Sequence, residues 1–377
     1  MAAAGVVAEF EWSTDLEAAE PPEARGLRRD EVRLLVSDPA SDSIEHAHFA
    51  DLDRFLSEGD LLVVNTSGTM NAAIRARAED DEAFEIHFST RLPGGFWSLE
   101  VREPDAIASR PYQARAGMTL RLPGNGLVTL LAPYPLVDAI GAPSRLWIAA
   151  PQLPREMISY LDEHGFPIRY GYVKRSWPGA MYQTIFATET GSAEMPSAGR
   201  PFTPELVTRL VAQGVGIAPL LLHTGVASLE RHEPPYEEYF RVSRQTAERV
   251  NAARRAGHRV IAVGTTAVRA LETVTDDRGV TSPGEGWTSL VVGPNRPVRS
   301  VTGLITGFHE PSASHLSLLE RVIAASAQQK GRTTNGRQHL ERAYGEAARQ
   351  RYLWHEFGDS HLIISARAGR QSIRPSS

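Results

Sequence analysis

Val260-Ile261-Ala262-Val263-Gly264-Thr265-Thr266-Ala267-Val268-Arg269-Ala270-Leu271-Glu272 is the stretch whose reading decides the fold. Val260 to Val263 is a short apolar, mostly β-branched run, as expected of a strand covered on both faces. Gly264 permits a sharp turn and a close approach by another molecule. Thr265 or Thr266 is expected to cap the following helix with a hydroxyl. The start of that helix offers free N–H groups and a positive dipole end, which suit a carboxylate, a phosphate or a ring nitrogen. Arg269 and Glu272 lie three apart, so they share a helical face and can pair or point at a ligand.

Working outward, strands and helices alternate from residue 203 onward. Thr203-Pro204-Glu205 reads as a helix start, Leu220 to His223 as a short strand, and Ser243 as the cap of a helix that Gly257 ends. Pro219 is expected to stand just before its strand, not within it. Strands are expected at 181–187, 287–292, 301–306 and 362–364, and helices at 49–57, 313–325 and 338–352. This alternation predicts an α/β core with helices packed on a sheet. Between about Ala72 and Ala150 the pattern is different: about six strand-like runs are separated by turns rich in Gly, Pro, Asp and Asn. The expected fold is therefore an α/β main domain (1–70 and 151–377) with an inserted small antiparallel β-barrel domain (71–150).

Composition narrows the function. The chain has 377 residues, 42% hydrophobic and 23% charged, with a formal net charge of −5 and no cysteine. Disulfides, thiolate metal sites and cysteine nucleophiles are excluded. No apolar run is long enough for a membrane span, and the first residues lack a basic signal region, so a cytoplasmic location is expected. The overall charge does not indicate a strongly basic nucleic-acid binder. Arginine clusters such as Arg25-Arg28-Arg29 and Arg249-Arg254-Arg255-Arg259 leave room for one local positive face, although a solvated helix face is the favoured explanation of each cluster taken singly. P-loop, dinucleotide-fingerprint and nucleophile-elbow motifs are absent. His223 and His232 lack a metal-binding spacing, so no metal is expected. His223, His309 and Arg269 each stand near a strand end, where α/β proteins gather ligands. If their strands are neighbours, two imidazoles, an arginine and a helix N-terminus meet in one crevice.

Taken in order, a longer set of motifs resembles one family. These are Arg33-Leu34-Leu35-Val36, Gly59-Asp60-Leu61-Leu62-Val63 with Asn65, Tyr182-Gln183-Thr184, and Pro196-Ser197-Ala198-Gly199 with Phe202-Thr203. Leu222-His223-Thr224-Gly225, Val260–Arg269, Trp287-Thr288, Phe308-His309 and Tyr352 with Gly358-Asp359 follow. Together they resemble the S-adenosylmethionine:tRNA ribosyltransferase-isomerases of queuosine biosynthesis. The resemblance implies a two-domain enzyme with S-adenosylmethionine as ribosyl donor. The acceptor would be 7-aminomethyl-7-deazaguanine in tRNA, and the products epoxyqueuosine, adenine and methionine. On this reading His309, His223 and Arg269 are catalytic. Tyr182, Gln183, Thr184, Gly264, Thr265, Thr266 and Phe308 hold the cofactor, with Tyr182 and Phe308 stacking on a base or facing the sulfonium. Asn65, Glu272 and Asp359 bind substrate. A monomer is expected.

Departures from the family pattern leave alternatives open. Thr66-Ser67-Gly68-Thr69-Met70-Asn71-Ala72-Ala73 stands where the family has Asp-Thr-Arg-Val-Ile-Pro-Ala-Arg, and Arg200-Pro201 replaces Leu-His. Thr224 to Leu229 also differs. The lost acid, arginines and histidine fall in loops. They allow a divergent paralogue acting on a small deazapurine or another non-tRNA acceptor, or a non-catalytic binding protein of the same fold.

Overall fold

Every residue of the Val260–Val263 strand is buried, and the alternation of its side chains explains why all are apolar. Val260 and Ala262 enter one core, and Ile261 and Val263 enter another on the opposite face. The computed structural model describes residues 13–105, 109–134, 145–226, 236–293, 296–310 and 315–366. Its strands begin with β1 (Arg33–Asp38), β2 (Ser43–His48), β3 (Leu61–Asn65) and the short β4 (Ser67–Thr69). Then come β5 (Ala73–Arg77), β6 (Ala83–Arg91), β7 (Trp97–Glu103), β8 (Arg110–Pro111), β9 (Thr119–Leu122), β10 (Gly126–Tyr134) and β11 (Leu146–Gln152). Helix α1 (Met157–His164), β12 (Glu189–Ser192), α2 (Pro204–Ala212), β13 (Gly216–Leu222), β14 (Glu238–Val242) and α3 (Arg244–Arg255) follow. The chain continues through β15 (Val260–Val263), α4 (Thr265–Thr273), β16 (Gly284–Thr288), β17 (Gly303–Gly307), α5 (His315–Gln328), α6 (Gly336–Arg349) and β18 (Ser360–Ile364).

The main sheet runs β16-β14-β13-β3-β15-β17-β18-β1-β2. Its centre, β13-β3-β15-β17, is parallel, so four strand ends open on the same side. Helices α3 to α6 contribute to the core on one face. Leu206 and Leu210 of α2, with Phe49 and Leu52, cover the other. Both faces are thus buried, as an α/β architecture requires. The second sheet is antiparallel, in the order β11-β10-β9-β5-β6-β7-β8, and β11 also pairs with β7. Its core takes in Met157, Tyr160 and Leu161 from α1.

The expected caps of two helices form as read: the Thr203 hydroxyl accepts from Leu206 N, and Ser243 accepts from Thr246 N. Three local expectations need correction. Pro219 lies inside β13, not before it. It is tolerated because β13 pairs with β3 along 216–220 but meets β14 only at Leu221 and Leu222, so the missing N–H faces an unpaired side. The short helix expected at 49–57 is a 3₁₀ helix and ends at Arg54. No strand spans 181–187: the Gln183 amide itself bonds Thr69 N and O, at 3.0 and 2.6 Å, taking the place of a strand partner.

A buried ion pair holds the base of the sheet. Arg259, next to β15, donates through Nε to both oxygens of Asp60, at 3.0 and 3.2 Å, next to β3. It also reaches the carbonyls of Ser365 and Phe55, at 3.1 and 3.0 Å. Both side chains are almost fully buried. Removing one partner strands a charge in the interior. Arg259→Ala is expected to cost about 3–5 kcal/mol of unfolding free energy, read as a shift of the denaturant midpoint; a loss under about 1 kcal/mol would show that the pair does not hold the sheet.

Candidate functional site

A cleft of about 430 Å³ opens where the parallel strand ends meet the second sheet. Ile168, Ala193 and Val226 belong to the second sheet's core and also line the cleft. The main sheet contributes Gly264, Thr265, Thr266 and Arg269 after β15, and Thr306, Phe308 and His309 at the end of β17.

The start of α4 faces this cleft. Gly264 takes φ 93°, a left-handed conformation that disfavours side chains, and is itself the N-cap. The helix therefore carries no side-chain cap, contrary to the hydroxyl cap expected from Thr265 or Thr266. Thr265 is already helical, while the Thr266 hydroxyl accepts from the Asn65 amide at 3.4 Å. An uncapped N-terminus keeps its N–H groups available to an anion. One turn on, Arg269 pairs with Glu238 and donates to Leu290 O at 3.0 Å. Glu238 in turn accepts from Gly225 N at 3.0 Å. Arg269 and Glu272 do not pair. Glu272 turns away and its Oε1 accepts from Arg299 N, Ser300 N and Ser300 Oγ, at 2.8, 2.7 and 2.6 Å, so it anchors a loop and does not line the cleft.

The two expected imidazoles do not converge. His309 lines the cleft, with Nε2 2.9 Å from Thr306 Oγ1. Its ring stacks on His315, centroids 4.8 Å apart and planes 12° apart. Burial, then the neighbouring His315, His355 and His361, hold its pKa well below the ordinary imidazole range. His315 shifts the same way through burial and the Arg269 charge, although its open edge toward solvent tempers the effect. His223 sits behind the wall. Its Nδ1 is 2.7 Å from Ser67 Oγ, which is 2.6 Å from Ser192 Oγ, and its ring occupies the space a Cβ at Gly191 would need. The neighbouring Thr224 lines the cleft in its place.

Other expected site residues separate in the same way. Tyr182 lines the cleft, buried against Phe357. Phe308 borders it, but its ring stacks on His361 at 5.8 Å and is enclosed by Tyr344, Tyr352 and Trp354, which leaves no face free for a base. Gln183 bonds Thr69, and the Thr184 hydroxyl accepts from Phe186 N, so both are used in shaping the wall. Asn65 bonds Leu222 N and O, at 3.0 and 2.8 Å. Asp359 accepts from Arg33 N and Leu353 N, at 2.8 and 2.7 Å, and lies outside the main cleft.

The sequence reading missed Glu238, His315 and an aromatic corner. Tyr170 and Tyr172 come from the loop after α1, and His355 and Glu356 from the loop before β18. Tyr172 packs on His355 at 4.3 Å, and its hydroxyl donates to Glu356. Burial pushes the Glu356 carboxyl up to about 7. The closely spaced Tyr170-Gly171-Tyr172 and His355-Glu356 pairs were the available signals. Glu17, Glu310 and His355 bring possible ligand atoms within 4.8 Å of one another. His355 Nε2 stands 3.7 and 3.9 Å from the two carboxylates. Donors about 2.1 Å from a zinc ion would stand roughly 3.4 Å apart. Among the described residues these three are the group that could hold a metal ion, an imidazole beside two acids.

Comparison with known proteins adds the following. The family model described as "Queuosine biosynthesis protein" matches residues 8–363. The S-adenosylmethionine:tRNA ribosyltransferase-isomerase of Symbiobacterium thermophilum is 34% identical over 367 residues, covering 94% of this chain and 98% of the relative. The Moorella thermoacetica protein of the same name is 35% identical over 348 residues, covering 89% and 94%. The crystal structure of S-adenosylmethionine tRNA ribosyltransferase from Thermotoga maritima is 26% identical, with a TM-score of 0.48, covering 95% of this chain and 99% of that one.

The buried imidazoles behind the cleft give the fold an acid limit. His361 is fully buried, bonds Ser37 Oγ at 2.8 Å, and is pushed down to about 3, first by burial and then by His339. A histidine depressed in the folded state binds its proton in the unfolded chain first. Its stabilising effect is complete above about pH 6.5 and is lost as pH falls toward 3, at up to about 1.4 kcal/mol per pH unit. His361→Gln is expected to flatten the fall in unfolding free energy between pH 6.5 and 4; denaturation series at fixed pH values will show an unchanged slope if the ring is not involved.

Proposed function

The chain belongs to the queuosine biosynthesis protein family, and on that premise we propose that it is an S-adenosylmethionine:tRNA ribosyltransferase-isomerase. In this reading it moves the ribosyl part of S-adenosylmethionine to 7-aminomethyl-7-deazaguanine in tRNA and rearranges it, giving epoxyqueuosine and releasing adenine and methionine. The observation that carries the reading to this chain's own residues is the cleft: an uncapped helix N-terminus, an imidazole held neutral and a set of aromatic rings line one cavity.

The chemistry suits those groups. A sulfonium acidifies the carbon beside it, and a neutral imidazole has a lone pair available to take that proton; His309 is assigned this role. The start of α4, at Gly264, Thr265 and Thr266, receives the carboxylate of the methionine part. Tyr182 and the neighbouring rings lie beside the sulfonium cation and the base. Arg269, occupied by Glu238, acts as a positioning group by holding the loop at Gly225 and fixing the cleft wall. His223, Gln183, Thr184 and Asn65 support the wall from behind, while Glu272 and Asp359 hold loops outside the cleft.

We divide the chain as expected, into an α/β unit and an inserted unit at 71–150. The β11–β7 pairing supports reading the inserted sheet as a small closed barrel, with α1 packed into its core. Among the described residues no helix is long and apolar enough to cross a membrane.

The direct test incubates the protein with S-adenosylmethionine, with and without tRNA carrying the deazaguanine base, and measures adenine and methionine. Release only with the tRNA is expected. His309→Gln should lower turnover about a hundredfold or more while leaving the affinity for S-adenosylmethionine within a few-fold. Release without tRNA, or full activity in the variant, would contradict the acceptor or the base assignment respectively.

A further inference from the structure

Three rings form a ladder along one wall of the cleft. Tyr170 stacks on Tyr172 with planes 10° apart and centroids 5.7 Å apart, and Tyr172 stacks on His355 with planes 14° and centroids 4.3 Å apart. The ladder is built from two distant segments, so tertiary packing sets its spacing. His355 takes φ 71°, a left-handed conformation uncommon for a side-chain-bearing residue and so maintained by its surroundings.

Beside the ladder stands Glu356. One carboxyl oxygen, Oε2, accepts from the Tyr172 hydroxyl. The other, Oε1, is buried and has no hydrogen-bond partner among the described residues. Leaving a buried carboxyl oxygen unpaired costs free energy that a bonded ligand would recover. Of the other acids lining the cleft, Glu238 is paired with Arg269 and Glu310 stands 3.9 Å from His355 Nε2; Glu194 is the third. Arg200, Tyr172 and Tyr182 are the other charged or titratable groups acting on or around Glu356, and Arg200 is itself bound to Glu23. The free Oε1 is thus an acceptor fixed at the edge of a stacking surface.

We propose that an outer face of the Tyr170–Tyr172–His355 stack, not Tyr172 itself, whose two faces are already covered, seats a planar purine-type base in the cleft and that Glu356 Oε1 selects it by accepting from its exocyclic amino group. The inference rests on the proposed function, which supplies two such bases: the adenine of S-adenosylmethionine and the 7-deazaguanine of the acceptor. Both are flat and carry an amino donor, so the same recognition chemistry serves either one. A ring stack is tolerant of base identity. A hydrogen-bonding acceptor is not, because a carbonyl placed against it leaves both groups unpaired.

Glu356→Gln gives a sharp test. Tyr172 donates to one side of the carboxyl, so it will hold the new amide's oxygen there and turn the NH₂ toward the base. The acceptor becomes a donor with no change in size. Calorimetric titration at about pH 8.5, above the carboxyl's raised value of about 7 so that Oε1 carries no proton, has two arms: S-adenosylhomocysteine against its inosine counterpart, and free 7-aminomethyl-7-deazaguanine against its counterpart without the 2-amino group. The parent should prefer the amino-bearing member of one pair by about tenfold or more, and Glu356→Gln should abolish or reverse that preference. Tyr172→Phe, which frees the carboxyl to rotate, should reduce it partway. The arm that responds identifies the base. A parent that binds both members of each pair equally, or a preference untouched in Glu356→Gln, overturns this inference and leaves the proposed function standing. A parent that binds no adenosyl ligand overturns the proposed function and this inference with it. Thermal melts of both variants establish that they are folded.

Discussion

The cleft depends on one amide. Asn65 ends β3, the strand between β13 and β15, and its side chain uses both ends of its carboxamide. Oδ1 accepts from Leu222 N and from Ser67 N, at 3.0 and 3.1 Å, and Nδ2 donates to Leu222 O and toward Thr266 Oγ1, at 2.8 and 3.4 Å. Parallel strands bond at a slant and leave their ends free to splay. Here a side chain continues the ladder past the last backbone pair and ties the end of β13 to the first turn of α4. An aspartate could accept but not donate, and a leucine could do neither, so the geometry of the strand ends is written into one residue type. The position of Thr224 on one wall and the uncapped start of α4 on another both follow from it.

Much of this architecture is legible in the sequence because it is encoded locally. The Val260–Val263 run reads as a strand covered twice, and the two cores found on its faces are what apolar residues at every position imply. Thr203 and Ser243 cap helices because a hydroxyl at the N-cap position can accept from a free N–H of the first turn. What local pattern cannot reveal is which partner a polar residue meets. Arg269 and Glu272 share a helix, yet one turns to Glu238 and the other to Ser300. Phe308, adjacent to His309, looks like a stacking surface from its position alone, but the rings of α6 and of the chain before β18 enclose it. Pro219 misleads because the rule against proline within strands assumes hydrogen bonds on both sides.

The departures from the family pattern acquire a physical meaning in the same way. Arg200, where the pattern has a neighbouring histidine, is buried, donates to Met181 O at 2.9 Å and pairs with Glu23 at 2.8 Å. It ties the segment at 22–25 to the cleft wall. Ser67, within the changed stretch after Asn65, holds His223 and Ser192 together. The lost acid gives way to Thr66, whose hydroxyl donates to Leu220 O at 3.0 Å, whereas the two arginines and the histidine give way to Gly68, Ala73 and Pro201, which carry no polar side chain.

The aromatic corner also fits the charge of the proposed cofactor. A sulfonium is a fixed cation and cannot be neutralised by losing a proton. A cleft lined with imidazolium would repel it. Burial keeps His309 and His355 neutral at pH 7, and the phenols of Tyr172 and Tyr182 are held well above neutrality in their uncharged form. Arg269 brings a positive charge close by, but Glu238 cancels it at contact distance. Besides Glu194, Glu310 and Glu356, the cavity presents aromatic rings, whose negative faces attract a soft cation without binding it as tightly as an ion pair would. A reaction that discharges the sulfonium gains from this arrangement, because an environment that stabilised the cation strongly would raise the barrier to its loss. Burial thus keeps His309 neutral, so that its lone pair stays available to the proton beside the sulfonium and the ring adds no positive charge to the cavity.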